Sequence, residues 1–107
     1  MKRYIKSDTQ DLVCLDDDTL MNIASDPKTG KDTLMRLSKF SNPYIRIELA
    51  RNPALTDELK RILAHDPDEN VRVEITYFVD LPEDVIEDLS NDRSRYVRDE
   101  MLNNLAK

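Results

Sequence analysis

The chain has 107 residues, of which 39% are hydrophobic and 36% charged, and its net charge is −6. This length allows one compact domain or one short helical array, and the single glycine and five prolines are too few for an all-β fold, which needs a turn about every 8–12 residues. The acidic balance argues against nucleic-acid binding as a general property, because phosphate neutralisation needs a basic surface.

The single cysteine, and the lack of a recognisable membrane span or signal peptide, favour a reducing compartment. No apolar run approaches the roughly 18 residues of a membrane span, and the basic segment 1–6 is not followed by an apolar stretch typical of a signal peptide. Cys14 is the only cysteine, so no internal disulfide can form. We therefore expect a cytoplasmic protein without membrane contact. Cys14 lies among Leu12, Val13 and Leu15, and this setting predicts a buried, unreactive thiol.

The N-terminal segment, residues 1–17, is interpreted as a cap. Its apolar residues are expected to cover the edge of the first repeat unit, as terminal segments of repeat arrays must; they are Tyr4, Ile5, Leu12, Val13 and Leu15. The acidic run 16–18 could suggest a calcium loop, but such loops place ligands at alternate positions around a glycine. A helix N-cap is therefore the favoured interpretation of this run.

Three similar strings reveal an internal 26-residue period. They are Ile45-Arg46-Ile47-Glu48, Val71-Arg72-Val73-Glu74 and Val97-Arg98-Asp99-Glu100, and they are equally spaced. Leu37, Leu63 and Leu89 fall in the same register. The pattern predicts a helical repeat domain over residues 18–107, with units at about 18–31, 32–55, 56–81 and 82–107. The first unit is shortened, because Asp18-Thr19-Leu20-Met21 recurs as Asp32-Thr33-Leu34-Met35 after little more than half a period.

Each unit is predicted to contain two helices. The first opens on acidic residues, with Thr56 as an N-cap and Pro82 in a first helical turn, and the second carries the arginine string. Alternation of Ile45, Ile47 and Leu49 would also suit a strand. Helix is favoured because an inner helix of an array is apolar on two sides, and Asp99 replaces Ile47 and Val73 where no further unit follows. We expect an all-α fold of about seven short helices.

The repeat resembles the variant leucine-rich repeat, a relative of HEAT repeats. The resemblance is carried by residues 50–59, by Leu63-Ala64-His65-Asp66-Pro67 and by Val71-Arg72, and it weakens where Asn103-Asn104-Leu105 replaces Arg51-Asn52-Pro53. It implies a short right-handed α-solenoid. The spacing from Asp66 to Arg72 matches the aspartate and arginine that form ladders between HEAT units. Some members carry an iron–sulfur cluster in a separate cysteine-rich segment; with Cys14 alone, no cofactor is expected.

The recurring arginines are the main candidate site. Arg46, Arg72 and Arg98 could form a salt-bridge ladder with Asp66 and Asp92, or a cationic row that meets a partner. In the second case, the candidate partner-binding residues are Tyr44, Arg46, Arg51, Arg72, Tyr77, Tyr96 and Arg98, since arginine and tyrosine are common interface anchors. His65, the only histidine, has no second histidine or cysteine to form a metal site and is interpreted as structural.

No catalytic, metal or cofactor constellation is recognisable, so the sequence favours a non-catalytic protein–protein interaction module, monomeric or weakly dimeric, whose partner it does not name. One alternative is an acidic inhibitor or nucleic-acid mimic that occupies a basic site, using the carboxylates of residues 80–92. The other is a DNA-binding HEAT-like protein, against which the net charge of −6 counts.

Overall fold

The structure is a computed structural model that describes residues 12–107. Within these residues it is entirely helical, with seven helices and no strand, so the strand interpretation of residues 45–49 is wrong. The helices are α1 (Asp17–Ser25), α2 (Lys31–Leu37), α3 (Pro43–Ala50), α4 (Asp57–Leu63), α5 (Glu69–Ile75), α6 (Glu83–Ser90) and α7 (Arg95–Leu105). No helix in this part of the chain is long and apolar enough to cross a membrane.

Helix starts recur at the spacing found in the sequence. Helices α2, α4 and α6 begin at Lys31, Asp57 and Glu83, and these starts are one period apart. The same step separates the starts of α3, α5 and α7, at Pro43, Glu69 and Arg95. Helix α1 begins at Asp17, one period before α3. By this spacing, α1 corresponds to α3, α5 and α7, which are the second helices of their units and carry the recurring arginines. The prediction of a shortened first unit would instead make α1 the first helix of its unit.

Side-chain caps define most helix starts. The Asp16 carboxylate accepts a hydrogen bond from the Thr19 backbone N–H at 2.8 Å, which confirms the predicted N-cap in the acidic run and lowers the pKa of Asp16 below its usual range. Thr56 caps α4 by accepting from the Leu59 N–H, as expected. Pro82 is the N-cap residue of α6, where it makes no side-chain cap. Its fixed φ, −60°, suits the entry to a helix.

The chain divides into two compact units, residues 1–55 and 56–107. In the first unit, α1 packs against α2 and α3, and α2 packs against α3. The residues that these helices bury are apolar and spaced three or four apart, as expected for amphipathic helices; they are Leu20, Ala24, Leu34, Leu37, Ile45 and Leu49. These side chains form the core of the first unit.

In the second unit, α4 packs against α5, and α7 packs against both α5 and α6. Its core includes Leu63, Val71, Ile75, Leu89, Val97 and Met101, which occupy the columns of Leu37, Ile45 and Leu49, and it is completed by Leu59 and Val85. Asp99 is exposed, while Val73 at the preceding position of the register is buried. The substitution of Asp99 for an apolar residue therefore matches the solvent exposure of that side of α7.

The described part of the N-terminal segment, residues 12–17, differs in part from the predicted apolar cap. Residues 1–11 lie outside the described residues, and with them the expected roles of Tyr4 and Ile5. Leu12 is buried, as expected, but Val13 is 64% exposed and Cys14 is exposed. The prediction of a buried thiol is wrong, because Cys14 lies in a turn, where its side chain is exposed to solvent.

Asn52 and Asn104, which are two periods apart in the sequence, each donate hydrogen bonds to backbone carbonyls at the C-terminal end of another helix. Asn52 is fully buried, and its Nδ2 donates to the carbonyl oxygens of Ala24 and Asp26 at 2.9 and 3.0 Å. Its Oδ1 accepts from the Ala54 N–H at 2.8 Å. In the second unit, Asn104 donates to the carbonyl oxygen of Thr76 at 3.0 Å. The same contact thus occurs twice, two periods apart, and it satisfies carbonyls that the ends of α1 and α5 leave free.

We predict that Asn52→Ala lowers the free energy of unfolding by about 2–3 kcal/mol, because it removes three hydrogen bonds and leaves a buried carbonyl without a partner. Asn104→Ala is the matched control and should have a smaller effect, since its site is only half buried. Urea unfolding followed by circular dichroism measures both. Equal losses in the two variants would contradict the assignment of Asn52 as the better-buried tie.

Candidate functional site

The recurring arginines all bind backbone. Nη1 of Arg46, Arg72 and Arg98 donates to the carbonyl oxygen six residues earlier, on Phe40, Asp66 and Asp92, and each distance is 2.7 Å. These carbonyls lie in the short connections that lead into α3, α5 and α7. Each arginine, placed in the first turns of its helix, therefore holds the preceding connection against that helix.

Arg72 adds a buried ion pair to this contact. Its Nε and Nη2 donate to the two carboxylate oxygens of Asp92 at 2.9 and 3.1 Å, a bidentate geometry that is strong and directional. The side chains of Arg72 and Asp92 are only 3% and 7% exposed. The predicted aspartate–arginine ladder is confirmed at this pair. The alternative of a cationic row does not hold at Arg72, because a guanidinium buried in this way cannot meet a partner.

The acidic face of α6 is partly neutralised by α4. Arg61 makes two hydrogen bonds to the Asp84 carboxylate, at 2.7 and 3.2 Å, and His65 Nε2 lies 3.0 Å from Asp88 Oδ2. The hydrogen bond from Arg61 lowers the pKa of Asp84, and the same contact raises the pKa of Arg61. His65 thus joins two helices of its unit, in line with the structural role expected for it.

The three candidate tyrosines are exposed. Tyr44 on α3, Tyr77 just after α5 and Tyr96 on α7 have 68%, 48% and 46% of their surface accessible. Of the remaining candidates, Arg51 is exposed and lies 3.1 Å from Glu48, whereas Arg98 is half buried. The first unit brings Tyr44, Arg46 and Arg51 onto α3 and its C-terminal end, and the other four candidates lie in the second unit.

Tyr77 has a perturbed hydroxyl. It donates to Oε1 of Glu100 on α7 at 3.1 Å. Partial burial and then this hydrogen bond raise the pKa of Tyr77 from 10.0 to about 12, with Tyr96 and Glu74 adding to the negative surroundings. The phenol is thus held neutral and in one orientation, near the exposed side chain of Tyr96.

Lys60 was not singled out by the sequence, yet it organises the segment after α5. Its side chain is buried, its Nζ donates to the Asp80 carbonyl oxygen at 3.1 Å, and it lies 4.7 Å from the centre of the Phe78 ring. Asp57 supplies a carboxylate at 3.7 Å. These contacts fix residues 78–80. The sequence signal that was missed is its place in the 26-residue register, where the corresponding residues are Leu34 and Ile86.

The two units differ strongly in charge. Residues 56–107 carry 14 Asp and Glu against 7 Lys and Arg, a net charge of −7, whereas residues 1–55 carry 8 against 9, a net charge of +1. The negative charge of the chain therefore resides in the second unit. Among residues 12–107, no three His, Cys, Asp or Glu side chains are grouped so that they could hold a metal ion.

No protein-family model, curated protein or solved structure matches this chain. The likeness to variant leucine-rich repeats thus rests on the aligned columns of the sequence.

We predict that Arg72→Ala lowers the free energy of unfolding by about 3–5 kcal/mol, because it leaves the buried Asp92 carboxylate without its cation. Arg61→Ala removes a bidentate contact of similar geometry at the surface and is the matched control, for which we expect a much smaller change. Urea unfolding of both variants makes the comparison. If the two substitutions were equally harmful or equally harmless, burial of the Arg72 pair would not determine its role.

We predict that Tyr77 ionises near pH 12, about two pH units above an ordinary phenol. A phenolate absorbance titration of wild type and Tyr77→Phe isolates this step, and Glu100→Gln should move it only part of the way towards 10, because burial remains the larger cause. The folded pKa exceeds the unfolded one, so this group's stabilisation is complete below pH 10 and is lost as the pH rises towards 12. A step near pH 10 in the difference titration would refute the assignment.

Proposed function

We propose that the chain is a short right-handed α-solenoid of HEAT-like, variant leucine-rich repeats that acts as a non-catalytic protein-binding module in the cytoplasm. The 26-residue spacing of helix starts and the arginine–carbonyl contacts at residues 46, 72 and 98 support the repeat architecture. The family resemblance supplies the handedness, and the sequence supplies the expected compartment.

The observation that carries the binding role is the exposure of large aromatic and aliphatic side chains. Tyr44, Tyr77, Val79, Tyr96 and Leu105 are each at least 46% exposed. Tyrosine is enriched among the residues that contribute most binding energy at protein interfaces, and exposed aliphatic side chains can add apolar contacts beside it. Meanwhile Arg72 binds Asp92 and backbone within its own unit. The arginine column thus supports the fold, and the tyrosines remain for a partner.

The negative charge of the second unit supports the acidic-inhibitor alternative and opposes the DNA-binding alternative. A net charge of −7 on residues 56–107 opposes binding to duplex DNA, since a DNA-binding protein gains affinity by neutralising phosphates. The same charge supports the acidic-inhibitor alternative, in which the unit occupies a basic site on another protein. We therefore propose that the partner surface is neutral to basic.

Affinity capture from native lysate tests the binding role. Tagged wild-type chain is compared with Tyr44→Ala and Tyr96→Ala, which change exposed tyrosines, and with Lys39→Ala and Arg93→Ala, which change exposed cations and serve as controls. We expect a protein to be retained by wild type and by the controls, and to be depleted about tenfold by one or both tyrosine variants. Capture that no tyrosine variant weakens, or retention of duplex DNA at physiological salt, would contradict the proposal.

A further inference from the structure

The second unit contains an open apolar groove between the segment after α5 and the end of α7. Its volume is about 510 Å³. Its walls include Tyr77, Val79, Leu81, Ile86 and Leu105. Val79 is fully exposed and about half of the surface of Leu105 is accessible, so the groove presents apolar surface to solvent. A continuous exposed patch of this kind marks a place where another apolar surface binds.

The groove is held open by contacts that do not depend on an occupant. Lys60 fixes Phe78 and the Asp80 carbonyl on one wall. Two hydrogen bonds, from Tyr77 to Glu100 and from Asn104 to Thr76, join this wall to α7. Met101 lies almost fully buried beneath the groove. A groove whose walls are already ordered loses little conformational entropy when a partner binds.

Three acidic residues are close in sequence to residues that line the groove. Asp80 lies between the lining residues Val79 and Leu81, Glu83 is one helical turn before Ile86 on α6, and Glu87 directly follows Ile86. All three carboxylates are exposed, and among the described residues none of them forms an ion pair. Lys107 is the one cation among the lining residues. The groove thus combines an apolar floor with a surplus of negative charge.

We infer that this groove binds a basic amphipathic segment of another protein, with the segment's apolar side chains against Val79, Ile86 and Leu105 and its lysines or arginines near Asp80, Glu83 and Glu87. The inference rests on the proposed function and specifies the chemistry of the partner. Charge favours this occupant over the others, because the unit's net charge of −7 repels the same unit of a second copy, nucleic acid and an anionic membrane surface.

Synthetic peptides test the inference on the full chain. The first probe is a helical peptide with leucine at every third or fourth position and lysine elsewhere; the second has glutamate in place of lysine; the third keeps the composition of the first but scrambles the leucines. Binding is measured by fluorescence anisotropy at several salt concentrations. We expect the first probe to bind at least about tenfold more tightly than either of the others, and its affinity to fall as salt increases.

Variants place the binding in the groove. Val79→Ser with Leu105→Ser should weaken the first probe about tenfold, whereas Leu102→Ser, on the same helix but outside the groove lining, should leave it unchanged. Glu83→Gln with Glu87→Gln should reduce both affinity and salt dependence, with Glu58→Gln as the exposed control on α4. All these positions are at the surface, and circular dichroism confirms folding of each variant.

Several results would overturn the inference. Tight binding of the glutamate probe would show that the positive charge of the peptide is not recognised. Tight binding of the scrambled probe would show that its apolar pattern is not recognised. Equal effects of the groove variant and Leu102→Ser would place the site elsewhere, and a dimer in sedimentation that Val79→Ser with Leu105→Ser abolishes would make a second copy the occupant. If the peptides fail while lysate capture still depends on Tyr44 or Tyr96, the groove inference fails and the proposed function stands.

Discussion

The hydrogen bond from an arginine guanidinium to the carbonyl oxygen six residues earlier is the contact on which the arrangement of each helix pair depends. It occurs at Arg46, Arg72 and Arg98 with the same length, 2.7 Å. The accepting carbonyls belong to the short connections that lead into α3, α5 and α7. Because the guanidinium is always charged and offers five donors, one side chain can bind a connection and still reach a carboxylate, as Arg72 does with Asp92.

This arrangement determines which residues remain for function. The charged groups that a sequence reader would first assign to a binding site, Arg72 and Asp92, bind each other in the interior of the second unit. Part of the acidic face of α6 is likewise engaged with Arg61 and His65. Exposed tyrosines, an apolar groove and the carboxylates beside it are left at the surface. Specific recognition by this protein would then depend on aromatic and apolar contacts with a complementary positive charge around them.

Much of the fold could be predicted from the sequence because a period leaves its mark in several columns at once. The 26-residue spacing, a cap in the acidic run 16–18 and the cap at Thr56 follow from residue types at fixed distances, and the resemblance to HEAT repeats implies a ladder of arginine and aspartate, of which Arg72 with Asp92 is one pair. Burial of Lys60 is consistent with its register position, shared with Leu34 and Ile86, but its contacts with Phe78 and Asp80 have no such signal. Exposure of Cys14 could not be predicted from its apolar sequence neighbours. The role of Asn52 was also hidden, because its partner carbonyls lie far away in the sequence, and a carbonyl has no sequence signature.

Hydrogen exchange of the arginine side chains tests most directly whether the recurring arginines serve the fold. Nuclear magnetic resonance resolves the Nε–H of each arginine, and the rate of exchange with solvent reports its burial and hydrogen bonding. The Nε–H of Arg72 should exchange far more slowly than that of Arg51, whose side chain is 52% exposed. Exchange of Arg72 as fast as that of Arg51 would contradict the account, since a freely solvated guanidinium could not hold the connection before α5 and would be available to a partner.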